Sequence, residues 1–129
     1  MIDIKVQEYL YYQLSKLPYD IYDSVSKNAK CPYIKIGTDY GGDNSTKTSF
    51  AYKDYQYIDI FSNYNGKKEV REIMKQVNSL LQNKELMFND MQIYLYLNSS
   101  KILEQTDVEG KYYHGILIYR IETKMKGAV

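Results

Sequence analysis

Few residues in this chain could carry chemistry, and their spacing decides what each can do. Gly41-Gly42-Asp43-Asn44-Ser45-Thr46-Lys47-Thr48 comes nearest to a phosphate-binding loop. Such a loop cradles phosphates with glycine backbone N–H groups and ends in Gly-Lys-Ser/Thr opening a helix. Here Thr46 stands where the glycine before the lysine belongs, and Ser49-Phe50-Ala51-Tyr52-Lys53 reads as a strand, so no helix dipole is supplied. An exposed hairpin-like loop with Lys47 at its tip fits these residues better. A phosphate- or nucleotide-binding protein using Lys47 and Thr48 is kept as the alternative from another functional class.

His114 is the only histidine and Cys31 the only cysteine. Carboxylate clusters apart, they cannot assemble a metal site of ordinary ligand spacing. Acid–base work by His114 needs a partner that the sequence does not assign, so it is read as a paired-strand residue. Asp20 and Asp23, or Glu104, Asp107 and Glu109, could supply paired carboxylates, but their loop-like settings favour solvation. No nucleophile elbow or triad motif is present. Lys47, Tyr52, Lys53 and Tyr55 come closest to a basic stripe with interleaved aromatics, and Asp43 and Asp54 weaken it. The reading is therefore of no catalytic residue, no cofactor, no metal and no sequence-specific nucleic acid. Nothing here points to an enzyme.

Composition bounds the rest. The 129 residues are the size of one domain, and 44% hydrophobic with 26% charged residues is globular. Seventeen basic against sixteen acidic side chains leave net +1, which gives no overall field for nucleic acid or anionic lipid. The lone cysteine allows no intrachain disulfide and suits a reducing or redox-indifferent setting. Met1-Ile2-Asp3-Ile4-Lys5 does not read as a signal peptide, and no segment approaches the ~20 apolar residues of a membrane helix. A soluble, intracellular protein without a membrane partner is expected. Tyrosine is the outlier, with 16 copies against three Phe and no Trp. An apolar body with a polar tip suits half-wet surfaces and interfaces. Compositional bias explains the excess equally well until the tyrosines are placed.

Periodicity supplies the elements that position these residues. Ile2, Val6, Leu10, Leu14 and Leu17 recur at helical steps, predicting a helix over 2–16 that Pro18 stops. A short Ile21-Tyr22-Asp23 element precedes a strand from Cys31-Pro32 to Gly37, and Tyr40 to Thr48 reads as a loop. A strand over Ser49 to Lys53 runs through a short turn into Tyr57-Ile58-Asp59-Ile60-Phe61, with Ile58 and Ile60 on one side. After Asn65-Gly66 the period changes, and Val70, Ile73, Met74, Val77, Leu80 and Leu81 form one helical stripe. Glu69 is placed for the start of that helix, and Lys75 and Lys84 for its end. Met91 to Leu97 alternates, with Ile93, Leu95 and Leu97 opposite Tyr94 and Tyr96, and Asn98 to Gly110 reads as loop. Tyr113 to Thr123 is apolar on both sides, as befits a strand inside a sheet covered twice. The fold expected is α+β, a single domain over 1–129. A mostly antiparallel sheet of four to five strands carries an N-terminal helix and a central amphipathic helix.

Several pieces in order resemble a known family. They are Ile21-Tyr22-Asp23, Cys31-Pro32-Tyr33-Ile34-Lys35-Ile36-Gly37, Asn44-Ser45-Thr46-Lys47-Thr48 and the strand ending at Ser62 with its helix. Asp107-Val108-Glu109-Gly110, His114 and Ile118-Tyr119-Arg120 complete the set. Together they resemble the tail-completion proteins of long-tailed bacteriophages, also called tail terminators or head–tail joining proteins. The aromatic that this family often places before the serine of the central strand is supplied by Phe61. Its usual Gly-Arg-like pair ahead of Ile21 is Tyr19-Asp20 here, and no role is carried onto those two positions.

The resemblance implies a non-enzymatic subunit that assembles, typically as a hexameric ring, on the head-proximal end of a tail tube, in the virion at the tail–neck junction after passage through the host cytoplasm. The ring stops tube growth and presents a surface to head-completion proteins. Implied partners are copies of itself, the tail tube protein and the neck proteins. A neighbouring head-closure or minor tail connector is the related alternative. The contact regions expected are the Tyr94/Tyr96 face and the loop formed by Asp43, Asn44, Ser45, Thr46, Lys47 and Thr48, which is long for a hairpin.

Overall fold

The structure, a computed structural model, describes residues 4–24, 29–41, 51–88 and 90–125. The elements are α1 (Ile4–Leu14), β1 (Asp20–Tyr22), β2 (Tyr33–Gly41), β3 (Ala51–Ser62), α2 (Lys68–Leu81), β4 (Lys84–Phe88), β5 (Met91–Asp107) and β6 (Gly110–Met125). All six strands join one sheet in the order β1-β2-β3-β6-β5-β4. Every pairing is antiparallel except β1 with β2, which makes the sheet mixed. The expected α+β class stands; the expected four to five strands become six.

α1 forms because Val6, Leu10 and Leu14 share one face, and all three are fully buried. It ends where Ser15 donates its hydroxyl to the Tyr11 carbonyl at 2.7 Å, three residues before Pro18. α2 starts just after Gly66, whose φ of 108° is a backbone state that L side chains resist. Val70, Ile73, Val77 and Leu81 are its buried stripe, each contributing about 1.5–3 kcal/mol by leaving water. Ser62 ties the preceding strand to the helix, donating to Glu69 at 2.7 Å. At the far end, Asn83 turns the chain with φ 55°, and Lys84, expected at the helix terminus, opens β4 instead.

Registration across the sheet separates its two faces. Ile34, Ile60 and Gly115 lie in one row and Ile36, Ile58 and Leu117 in the next, and with Tyr119, Ile121, Ile93 and Leu95 they meet both helices in one core. The helix-facing side of β6 is tight at Gly115. A Cβ there would lie 2.7 Å from the Met74 sulfur and 2.9 Å from a Val70 methyl, so α2 rests directly on backbone. Two polar groups complete this layer. Tyr119, fully buried, donates to Asn78 Oδ1 at 2.8 Å, and Tyr19 donates to Gln76 Oε1 at 2.9 Å.

Four expectations are corrected. No turn separates Ser49–Lys53 from the central strand: β3 runs unbroken from Ala51, because β6 pairs with it throughout and Asp54, a turn former by type, is buried in the ladder. β2 reaches Gly41 through a register shift between Ile36 and Asp39, where the buried Gln56 amide donates to the carbonyls of Gly37 at 2.9 Å and Thr38 at 3.3 Å. β4 has no counterpart among the expected elements. Finally, Asn98–Asp107 is strand and not loop, since β6 supplies its ladder while one edge and both faces stay largely wet, leaving no apolar alternation to read.

Candidate functional site

The opposite face of the sheet carries no helix among the described residues, and aromatic side chains pave it. Tyr33, Phe61 and His114 are cross-strand neighbours on β2, β3 and β6. Phe61 stacks on Tyr33 at 4.9 Å and on His114 at 4.3 Å, and Tyr22 meets Tyr33 edge-on at 5.6 Å. Further along, Tyr40 stacks on Tyr55 at 5.2 Å and leans on Tyr57 at 6.0 Å. Tyr94 and Tyr96 stack on each other at 6.4 Å beside β6. Strand alternation places all of these on one side, because their neighbours Ile34, Ile60, Ile93 and Leu95 point to the core.

Charge is threaded between the rings. Arg120 lies 5.2 Å over the Tyr96 ring and Lys124 5.8 Å over that of Tyr94, while Arg120 Nε sits 3.0 Å from Glu122. His114 Nε2 is 2.8 Å from Asp59 Oδ1, with side chains only 17% and 12% exposed. Gly37 makes that contact possible, since a Cβ there would collide with the other Asp59 oxygen. The partner of His114, which sequence could not assign, is thus Asp59, and only the β3–β6 register could have found it. Ring stacking and the carboxylate clamp hold the imidazole across two strands. Ile116, registered opposite Asp59 on the same face, is only 6% exposed, so this side of β6 is apolar at its centre as its sequence suggested.

The other candidates are dispersed. Asp107 accepts the Glu109 N–H at 2.8 Å within the β5–β6 turn, and Glu104 takes the Tyr113 hydroxyl at 3.1 Å and lies 3.5 Å from Lys111. These are turn and cross-strand roles. Cys31 borders a cleft of 350 Å3 with Tyr33, Phe61, Asp107, Glu109 and Tyr112. Burial, and then the carboxylates of Glu69, Asp107 and Glu109, push its thiol above the ordinary value, which keeps it protonated and a poor nucleophile. Among the described residues, no three His, Cys, Asp or Glu side chains gather to hold a metal. No helix of the described residues is long and apolar enough to cross a membrane. The Asp43–Thr48 loop lies outside the described residues, and the next described element is strand β3, a strand as expected and not a helix. Of the two expected contact regions, only the Tyr94/Tyr96 pair is therefore placed: half-buried, on the helix-free face, with cations above it.

Two helices thus seal one side of the sheet, and half-buried tyrosines, a residue type enriched where proteins meet, dress the other. Residues 13–124 match the family described as tail completion protein gp17, and the chain belongs to that family of bacteriophage tail structural proteins. A chain from the virion of a native gene transfer agent particle has the same fold, with a TM-score of 0.72 at 17% identity over 89% of this chain and 91% of that one. A search of curated proteins found no match.

Proposed function

We propose that this chain, acting as one domain, is the ring that caps the head-proximal end of a phage tail tube, stops its growth and joins the tail to the head. The observation that carries this reading is the family match over residues 13–124. Copies of the chain, most simply six, contact one another, the tail tube protein below and the neck proteins above. The protein assembles in the host cytoplasm and ends at the tail–neck junction of the virion. It works by presenting surfaces and transforms no substrate. The Asp43–Thr48 loop and the Tyr94/Tyr96 pair supply two contact regions. For the pair, support comes from rings that lie on the helix-free face under Arg120 and Lys124, a combination enriched where proteins meet.

The test is the double substitution Tyr94→Ser with Tyr96→Ser. Since Ile93 and Leu95 hold the strand from the core side, the monomer is expected to keep its thermal transition within a few degrees. Ring formation and tail joining are expected to fall. Normal joining by the double variant would remove the tyrosine pair from the account.

A further inference from the structure

Two places in the sheet remain open. On one side, β4 covers β5 only from Met91 to Leu95, and the edge of Asn98–Asp107 pairs with no second strand among the described residues. The Gln82 side chain accepts the Leu97 N–H at 3.0 Å, which closes the last position before that opening. An edge of ten residues with outward backbone groups is a template for another strand. On the other side the sheet ends in β1, whose outer edge is likewise unpaired with any described strand.

A basic cleft lies at one end and residues 20–24 at the other carry only acidic charge, while the 98–107 edge itself holds Lys101 with Glu104 and Asp107. A cleft of 420 Å3 runs beside the β5 edge, lined by Lys67, Arg71, Met74, Ser100, Lys101 and Ile102. Glu69 is turned to Ser62 and Glu104 to Tyr113 and Lys111, so Glu72 is the acid left in the first turns of α2. These cations are misplaced for the helix itself. Lys67 occupies the N-cap with no side-chain capping bond, and Lys68 and Arg71 come next where the helix field disfavours positive charge. The β1 end carries exposed Asp20 and Asp23, with Lys35 one strand in.

Direction also fits. β1 is parallel to β2, and three successive antiparallel pairings from β2 through β3 and β6 to β5 make β1 antiparallel to β5. For strands running along a ring axis, rotation about that axis preserves their direction and keeps the helices on one side, so β5 of one copy meets β1 of the next antiparallel. A two-fold dimer would instead set β5 against β5, bringing two basic clefts together.

We infer that the open β5 edge and the basic first turns of α2 receive the acidic β1 edge of a second copy, extending the sheet from subunit to subunit. This rests on the ring reading above and names the seam within it. The test is charge exchange in the full chain, with sedimentation velocity of the purified protein and its copy number on tails as readouts. Lys67→Asp with Arg71→Glu, and separately Asp20→Lys with Asp23→Lys, are each expected to weaken self-association roughly tenfold, as loss of two exposed ion pairs does. All four together are expected to restore it. The α2 variant should melt no lower than the parent, because Asp is a good N-cap and acids suit a helix start, which separates lost assembly from lost folding. Hydrogen exchange adds a readout without substitution: the few outward-facing amides within 98–107 that a three-residue β1 can reach should slow in the assembled state. Rings that form normally with either pair reversed, or that leave those amides unprotected, overturn the seam and leave the ring standing. A chain that is monomeric both alone and on tails overturns both.

Discussion

Tyr119 shows how one side chain can be structural and testable at once. Its ring is wholly buried under α2, and its hydroxyl gives its hydrogen bond to Asn78. Burial holds the phenol well above its ordinary value of 10.0, and Tyr9 and Tyr33 shift the same way for the same first cause. The sign comes from proton binding. Below about pH 10 both the folded and unfolded forms keep these protons. Above it the unfolded chain releases them first, so stability is fully present below that pH and falls as pH rises further. Tyr119→Phe is expected to cost about 1 kcal/mol at pH 7, because the half-buried Asn78 oxygen loses its donor. It should also flatten the alkaline fall in stability, measured by urea unfolding at pH 7 through 11. A slope unchanged in the variant would mean that Tyr119 is not the dominant titrating group. Asp59 and Gly37 belong to the same scale: one places a carboxylate on His114, the other leaves the room for it.

Among the elements, α2 on β6 sets the spacing of the whole sandwich. Gly115→Ala is expected to destabilise by about 1–3 kcal/mol, since its methyl would press on Met74 and Val70 with only the flexible methionine able to yield. Thermal unfolding measures this, and Met74→Ala in the same chain should recover part of the loss. No loss in the single variant would show that the helix is not seated as described. The elements legible in the sequence are those buried on one side: α1, α2 and the first half of β5 announce themselves through Val6, Leu10 and Leu14, through Val70, Ile73 and Val77, and through Ile93 and Leu95. Those that are illegible take their structure from partners. β4 is a short edge strand held by β5, and Asn98–Asp107 is strand only because β6 lies beside it. The helix-free face is half legible: alternation puts Tyr94 and Tyr96 opposite the core, but the gathering of Tyr33, Phe61 and His114 into one row requires the register of three strands.

At the scale of the whole molecule, two helices seal one side of the sheet while the other side and one long edge stay open among the described residues. Such a molecule is well closed as a core and unfinished as a surface. Membership in a tail-completion family gives that surface a destination. In the proposed ring, the tyrosines, stacked in rows and partly roofed by Arg120 and Lys124, would supply broad, stiff contact area with polar tips. The most direct measurement is a reconstruction of tails assembled with and without this chain. With it, tubes are expected to share one length and to end at the head-proximal side in a ring of density that fits the six-stranded sheet; without it, tubes should vary in length and fail to join heads. Density for the chain anywhere but that end, or tubes of uniform length that join heads in its absence, would contradict the account.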